Sequence, residues 1–187
     1  MNRFAHLFLC LCVLLLGWSV QGQSATVPAA PAPAPAVAPP ANEGTVTHDK
    51  LPRFASLRFD DVNLRVGPGT NYPIDWVYRR RNLPVEIVFE LGDWRQIRDQ
   101  DNVTGWVRGP ALWKRRSAMV RTQEVTLRAS PNDQADPVAV LKPGVITHVR
   151  SCPAGSAWCE VEIDAFRGWL KRTAVYGVYA DETIEGQ

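Results

Sequence analysis

The two cysteines that lie beyond the N-terminal apolar run, Cys152 and Cys159, are the residues of this 187-residue chain best placed to form a covalent cross-link. Six residues separate them, Pro153 and Gly155 among these, so a bond between them staples the base of a hairpin loop. An even cysteine count in an oxidising compartment reads as one structural disulfide, with an expected gain of about 2–3 kcal/mol from the constrained unfolded chain. The spacing is not the Cys-X-X-Cys of redox pairs. Only His148 lies nearby, so a metal site lacks its third and fourth ligands.

Catalytic groupings are absent from the sequence. Of three histidines, His6 falls in the N-terminal apolar segment, His48 in a proline-rich stretch and His148 in a strand pattern, with no free cysteine to pair with it. No Gly-X-Ser-X-Gly, His-Glu-X-X-His or phosphate-cradling glycine loop occurs, and Gly67-Pro68-Gly69 has no Lys-Ser/Thr following it. Asp60-Asp61 and Glu160/Glu162 are acids on strand ends, which are solvated by default. The expectation is a chain that is not an enzyme and carries no cofactor or metal.

What remains is binding chemistry. Trp94 and Trp158 each fall on the polar side of a strand, because Ile97 in one case and Cys159, Val161 and Ile163 in the other occupy the apolar side. An aromatic so placed is either a contact surface, or covered by a loop or a neighbouring module. Two basic runs, Arg79-Arg80-Arg81 and Lys114-Arg115-Arg116, are solvated turns on one reading. On the sharper reading they form an anion-binding surface, since arginine presents fixed bidentate donors.

The elements that hold these residues come in two copies. Asn63-Leu64-Arg65-Val66-Gly67-Pro68 returns as Thr126-Leu127-Arg128-Ala129-Ser130-Pro131, and Gly105-Trp106-Val107-Arg108 as Gly168-Trp169-Leu170-Lys171. Leu64 and Leu127 are 63 residues apart, as are Trp106 and Trp169, while Trp94 and Trp158 are 64 apart. Such a period means one small domain used twice. Short apolar stretches between turn signals (Ala55 to Phe59, Val62 to Val66, Ile74 to Tyr78, Val85 to Leu91, Trp94 to Arg98, Gly105 to Val107) predict strands and no helix. The alternation of Val85, Ile87 and Phe89 with Glu86, Val88 and Glu90 predicts a half-buried strand.

Residues 1–22 read as a secretory signal, a basic start followed by an apolar run from Leu7 to Leu16 and then small residues, with cleavage at 22 or 24. That run is short of the ~20 residues a bilayer span needs. It continues past Cys10 and Cys12, so lipid attachment is not expected. Residues 25–52, with Pro28, Pro31, Pro33, Pro35, Pro39 and Pro40, read as a solvated tether, 53–114 and 117–180 as the two domains, and 181–187 as a disordered tail. With 21 Lys+Arg against 19 Asp+Glu, nothing in the charge points to nucleic acid.

Val62-Asn63-Leu64-Arg65-Val66-Gly67-Pro68-Gly69-Thr70-Asn71-Tyr72-Pro73, then Trp94 after a tight turn, then Gly105-Trp106-Val107, resembles the signature of the bacterial SH3-like family. The second copy keeps Val125-Thr126-Leu127-Arg128, Ser130-Pro131, Trp158 and Gly168-Trp169, but lacks the loop tyrosine and glycines. The resemblance implies two tandem small β-barrels in an exported, periplasmic protein that binds rather than catalyses. It implies a ligand groove of Trp94 and Tyr72 flanked by Pro110 and Trp113, and a second of Trp158 with Tyr176 as companion. The partners it implies are peptidoglycan-derived peptides or another envelope protein. A scaffold role, or service as an accessory or inhibitor subunit of a separate cell-wall hydrolase, are the alternatives.

Overall fold

The computed structural model describes residues 44–121 and 123–186; the stretch read as a secretory signal and most of that read as a tether lie outside the described residues. The chain is all-β, as its turn-punctuated apolar stretches predict. The first copy contains β1 (Arg53–Leu57), β2 (Val62–Arg65), β3 (Ile74–Tyr78), β4 (Pro84–Leu91), β5 (Trp94–Arg98), β6 (Thr104–Arg108) and β7 (Leu112–Trp113). The second contains β8 (Ser117–Val120), β9 (Val125–Arg128), β10 (Pro137–Leu141), β11 (Ile146–Ser151), β12 (Trp158–Ile163), β13 (Phe166–Lys171) and β14 (Val175–Tyr176). A 3-10 turn precedes each last strand, at Gly109–Ala111 and Arg172–Ala174. The sheet orders, β3-β2-β6-β5-β4-β1-β7 and β10-β9-β13-β12-β11-β8-β14, are one topology shifted by seven strands.

The repeated residues hold the fold. Leu64 and Leu127 are fully buried, each at the centre of its own core. A Cβ on Gly105 would stand 2.6 Å from Leu64 Cγ, and one on Gly168 would stand 2.6 Å from the Arg128 carbonyl oxygen, so only glycine lets these strands pack. Arg65 Nη1 donates to the carbonyls of Thr70 (3.2 Å) and Tyr72 (2.6 Å), and Arg128 Nη1 donates to that of Ala135 (2.9 Å). Position 135 is the repeat equivalent of 72, so the Leu-Arg pair anchors the core with one side chain and the following loop with the other.

The predicted Cys152–Cys159 disulfide is present, with the Cα atoms 4.3 Å apart and both residues buried in the second core. It closes the loop between β11 and β12.

Three expectations are corrected here. Residues 44–52, read as tether, pack on the first copy: Thr47 donates to the Glu90 carboxylate through its N–H (2.9 Å) and hydroxyl (2.8 Å), and Leu51 joins the core. Residues 181–186, read as tail, pack on the second copy, where Ile184 is buried and exchanges backbone hydrogen bonds with Cys152 at 2.7 and 3.0 Å. Finally, the polar side of β4 is not solvated. A register shift between Ile87 and Phe89 interrupts the alternation, and both Glu86 and Glu90 are buried.

Glu86 is covered by the second copy. Tyr179 donates to its Oε1 at 2.7 Å while Arg98 grips its Oε2, and Tyr176 donates to the Arg98 carbonyl at 3.0 Å. Phe54 of β1 meets Tyr176 edge-on at 5.1 Å between centroids and Tyr179 at 4.6 Å. Ser56 and Ser117 share a hydrogen bond across the same seam. The two copies are thus joined through a packed, hydrogen-bonded junction.

Candidate functional site

Each copy carries the same small cleft. In the first, Trp94 faces Asp61, Val62, Asn63, Arg65, Thr70, Arg108 and Ala111 around a volume of about 160 Å³. In the second, Trp158 faces Val125, Thr126, Arg128, Asp133, Lys171 and Ala174, with Leu170, around about 190 Å³. Six of these wall positions correspond one to one at the repeat spacing: 62/125, 63/126, 65/128, 70/133, 108/171 and 111/174.

The geometry follows from the strands. Trp94 opens β5 immediately after the Gly92-Asp93 turn, in register with Arg108 of β6, and Trp158 opens β12 in register with Lys171 of β13. Each tryptophan is half-buried on the side opposite Ile97 or Cys159, as the alternation predicts. Each has a cation as its cross-strand neighbour; Lys171 Nζ lies 5.3 Å from the Trp158 ring centroid and 2.7 Å from the Asp133 carboxylate. An aromatic face bordered by a cation and backed by an arginine-pinned loop can receive a flat or aliphatic group whose polar end is an anion.

The groove expected from Tyr72, Trp94, Pro110 and Trp113 is divided. The Gly109–Ala111 turn stands between two clefts, with Ala111 lining the Trp94 side. Pro110 and Trp113 line a separate cleft of about 330 Å³ together with Thr47, Arg53, Asp93, Arg95 and Lys114. Tyr72 enters neither; its ring lies against Gly67, where a Cβ would overlap it, and it is 41% exposed. Tyr176 is not in the Trp158 cleft either, because its ring and hydroxyl are spent on Phe54 and Arg98 at the junction. Burial, followed by the Glu86 and Asp99 carboxylates, pushes the Tyr176 hydroxyl well above the ordinary tyrosine range.

The two basic runs converge on Trp113, with the guanidinium carbons of Arg81 at 5.5 Å and Arg115 at 5.7 Å from its ring centroid. Their other members go elsewhere. Lys114 pairs with Asp49 at 3.2 Å, Arg79 stands 3.9 Å from Asp61 on the exposed surface, and Arg80 reaches the junction. Arg116 is the correction: it is buried, pairs with both oxygens of Glu182 and donates to the Gly177 carbonyl at 2.7 Å, so it is a structural residue. His148 Nδ1 lies 2.8 Å from the Arg116 carbonyl, which can only accept, and 3.4 Å from the Arg115 Nε–H; the shorter contact is met when Nδ1 carries the proton. Burial holds the His148 pKa below its ordinary value against the raising effect of that bond. Among the described residues, no three His, Cys, Asp or Glu side chains gather to hold a metal.

The family profile of the bacterial SH3 domain matches residues 59–114 and again residues 121–177. The chain belongs to the bacterial SH3 domain family. Bacterial SH3 domains are binding modules, and the tandem pair with its disulfide fits an extracytoplasmic setting. No helix among the described residues is long and apolar enough to cross a membrane. Among solved structures, similarity extends to NlpC2 from Trichomonas vaginalis, 10% identical, over 67% of this chain and 48% of that one at a TM-score of 0.32. NlpC1 from the same organism is 9% identical over 72% of this chain and 48% of its own, also at 0.32. The tandem bacterial SH3 chain therefore spans about half the length of either. No curated protein matches it in sequence.

Sequence reasoning missed Trp76 altogether. It is 60% exposed on β3, at a position where the second copy has alanine, and that asymmetry was the signal available.

Proposed function

We propose that this chain is an exported, periplasmic, non-enzymatic binding protein whose tandem bacterial SH3 domains hold carboxylate-bearing peptides of the kind found in peptidoglycan stems, or the same chemistry presented by a partner protein. The observation that carries the reading is the duplicated cleft: Trp94 and Trp158 each have a cationic strand neighbour, Arg108 or Lys171, and equivalent walls. Arg81 and Arg115, 5.5 and 5.7 Å from the Trp113 ring centroid, add positive charge beside the first copy.

Size sets the expected affinity. Volumes of about 160 and 190 Å³ lie below the ~300 Å³ at which drug-sized ligand sites begin. Each cleft therefore suits a single residue, and one cleft alone binds weakly. A repeating polymer engages both at once, and the second contact is then intramolecular, which raises avidity without any new contact. Co-sedimentation of the folded protein with isolated peptidoglycan tests this. Trp94→Ala and Trp158→Ala each reduce the bound fraction and the double variant reduces it further; undiminished sedimentation of the double variant overturns the reading.

A further inference from the structure

Three of the differences between the copies meet in one cleft at their junction. Trp76 pairs across β2 with Leu64, whereas its counterpart paired with Leu127 is Ala139. Tyr78 pairs with Val62, whereas the residue paired with Val125 is Leu141. The β5–β6 connection of the first copy is the five residues Asp99 to Val103, whereas β12 and β13 are joined through Asp164-Ala165 alone. Trp76, Tyr78, Asp99, Asp101 and Val103 then line a cleft of about 470 Å³, closed on the far side by Met119 of the second copy. The first copy supplies ten of its eleven lining residues and the second supplies Met119.

Its chemistry is apolar with an acidic border. Trp76, Leu83, Pro84, Val103 and Met119 supply the walls. Asp75, Asp99 and Asp101 border it against one guanidinium, that of Arg80. Asp99 is held in place, accepting from the Tyr78 hydroxyl at 2.9 Å and from the N–H groups of Asp101 and Val103 at 2.9 Å each, so its charge is fixed before any ligand arrives. The volume lies within the ~300–1,000 Å³ of small-ligand sites.

We infer that this junction cleft is a second binding site, distinct from the Trp94 and Trp158 clefts, that takes the side chain of a lysine or other diamino acid within a peptide. An aliphatic stem covers the Trp76 face and the apolar walls, and the ammonium sits among three carboxylates within reach of the indole, where both the charges and the ring quadrupole favour it. An anionic side chain is repelled by the same border. A neutral one of equal length leaves the acidic border unused.

The test is a titration of the full folded chain with a blocked Ala-Ala-Lys-Ala-Ala peptide, followed by the indole N–H resonance of Trp76, with norleucine and glutamate peptides as probes of the same length. The lysine peptide gives a saturable shift, and the norleucine peptide binds at least about tenfold more weakly. Trp76→Ala, at an exposed position and read by isothermal calorimetry because it lacks the reporting indole, and Asp101→Asn, at an exposed loop tip, each weaken lysine binding by a similar factor. Equal binding of lysine and norleucine peptides, or no saturable shift, overturns the assignment. The Trp94→Ala, Trp158→Ala double variant is titrated in parallel; loss of lysine binding there also overturns it, since the ligand would then belong to the other clefts.

Discussion

Replacing Glu90 by glutamine tests how the packed N-terminal segment is held. Glu90 is fully buried and accepts from the Val46 N–H at 3.2 Å, the Thr47 N–H at 2.9 Å and the Thr47 hydroxyl at 2.8 Å. It also pairs with Arg53 at 3.2 Å and Arg95 at 3.3 Å. Burial works to raise its pKa, but the bonds from Thr47 and Val46 and the Arg95 charge win, and the carboxyl is held below its ordinary value of 4.5. Removing one partner of a buried ion pair costs about 3–5 kcal/mol because the other charge is left uncompensated. Glutamine keeps one acceptor oxygen, so the expected loss is about 2–4 kcal/mol. At about 2–4 °C per kcal/mol for a fold of this order of size, the midpoint falls by about 5–15 °C. Circular dichroism on thermal and urea unfolding measures it. The pH dependence carries the sign: a carboxylate with a depressed folded pKa contributes fully above its unfolded value, and that contribution is lost as pH falls through the folded one. Wild type therefore loses stability on acidification through this range more steeply than Glu90→Gln. A variant within about 0.5 kcal/mol of wild type, with the same acid limb, would refute the argument.

Three further outcomes follow from the packing. Gly168→Ala places a Cβ 2.6 Å from the rigid Arg128 carbonyl oxygen and destabilises by about 1–3 kcal/mol, as does Gly105→Ala against Leu64; urea midpoints read both. Replacing Cys152 and Cys159 together by serine lowers stability by about 2–3 kcal/mol, and a thiol assay on the denatured wild-type chain lacking residues 1–22 finds no free thiol. Tyr179→Phe leaves the buried Glu86 carboxylate one donor short, costs about 1–3 kcal/mol and lowers both copies in a single unfolding transition; two separated transitions in the wild type would contradict the packed junction.

The fold was legible because the repeated residues are the ones that local sterics and the core cannot do without. Leu64 and Leu127 fill equivalent core positions, Gly105 and Gly168 permit strand contact, and the period-2 pattern around Trp94 and Trp158 placed both rings on the outer side. What was not legible depends on contacts far apart in sequence. Tyr176 and Arg116 look exposed and functional in a linear reading, yet Tyr176 packs on Phe54 of the other copy and Arg116 lies between that same ring and Glu182, contacts that no strand pattern records. Glu86 and Glu90 alternate like solvated residues, but a bulge and two distant segments bury them. The N-terminal boundary was obscured by composition: residues 44–52 continue a polar, proline-containing stretch, and their docking partner Glu90 lies more than forty positions away. The outer position of Trp94 on its strand follows from the alternation, while the turn that parts it from Pro110 and Trp113 is a matter of three-dimensional path.

The central claim is that two equivalent tryptophan clefts bind the same kind of peptide. Isothermal titration of the folded protein with a soluble carboxylate-bearing stem peptide in which norleucine replaces the diamino acid, so that the junction cleft contributes little, tests it most directly. The account predicts weak binding of two equivalents per chain, falling to one in Trp94→Ala or Trp158→Ala and to none when both are replaced. Heat signals that persist unchanged in the double variant, or a total absence of binding by the wild type, would contradict it.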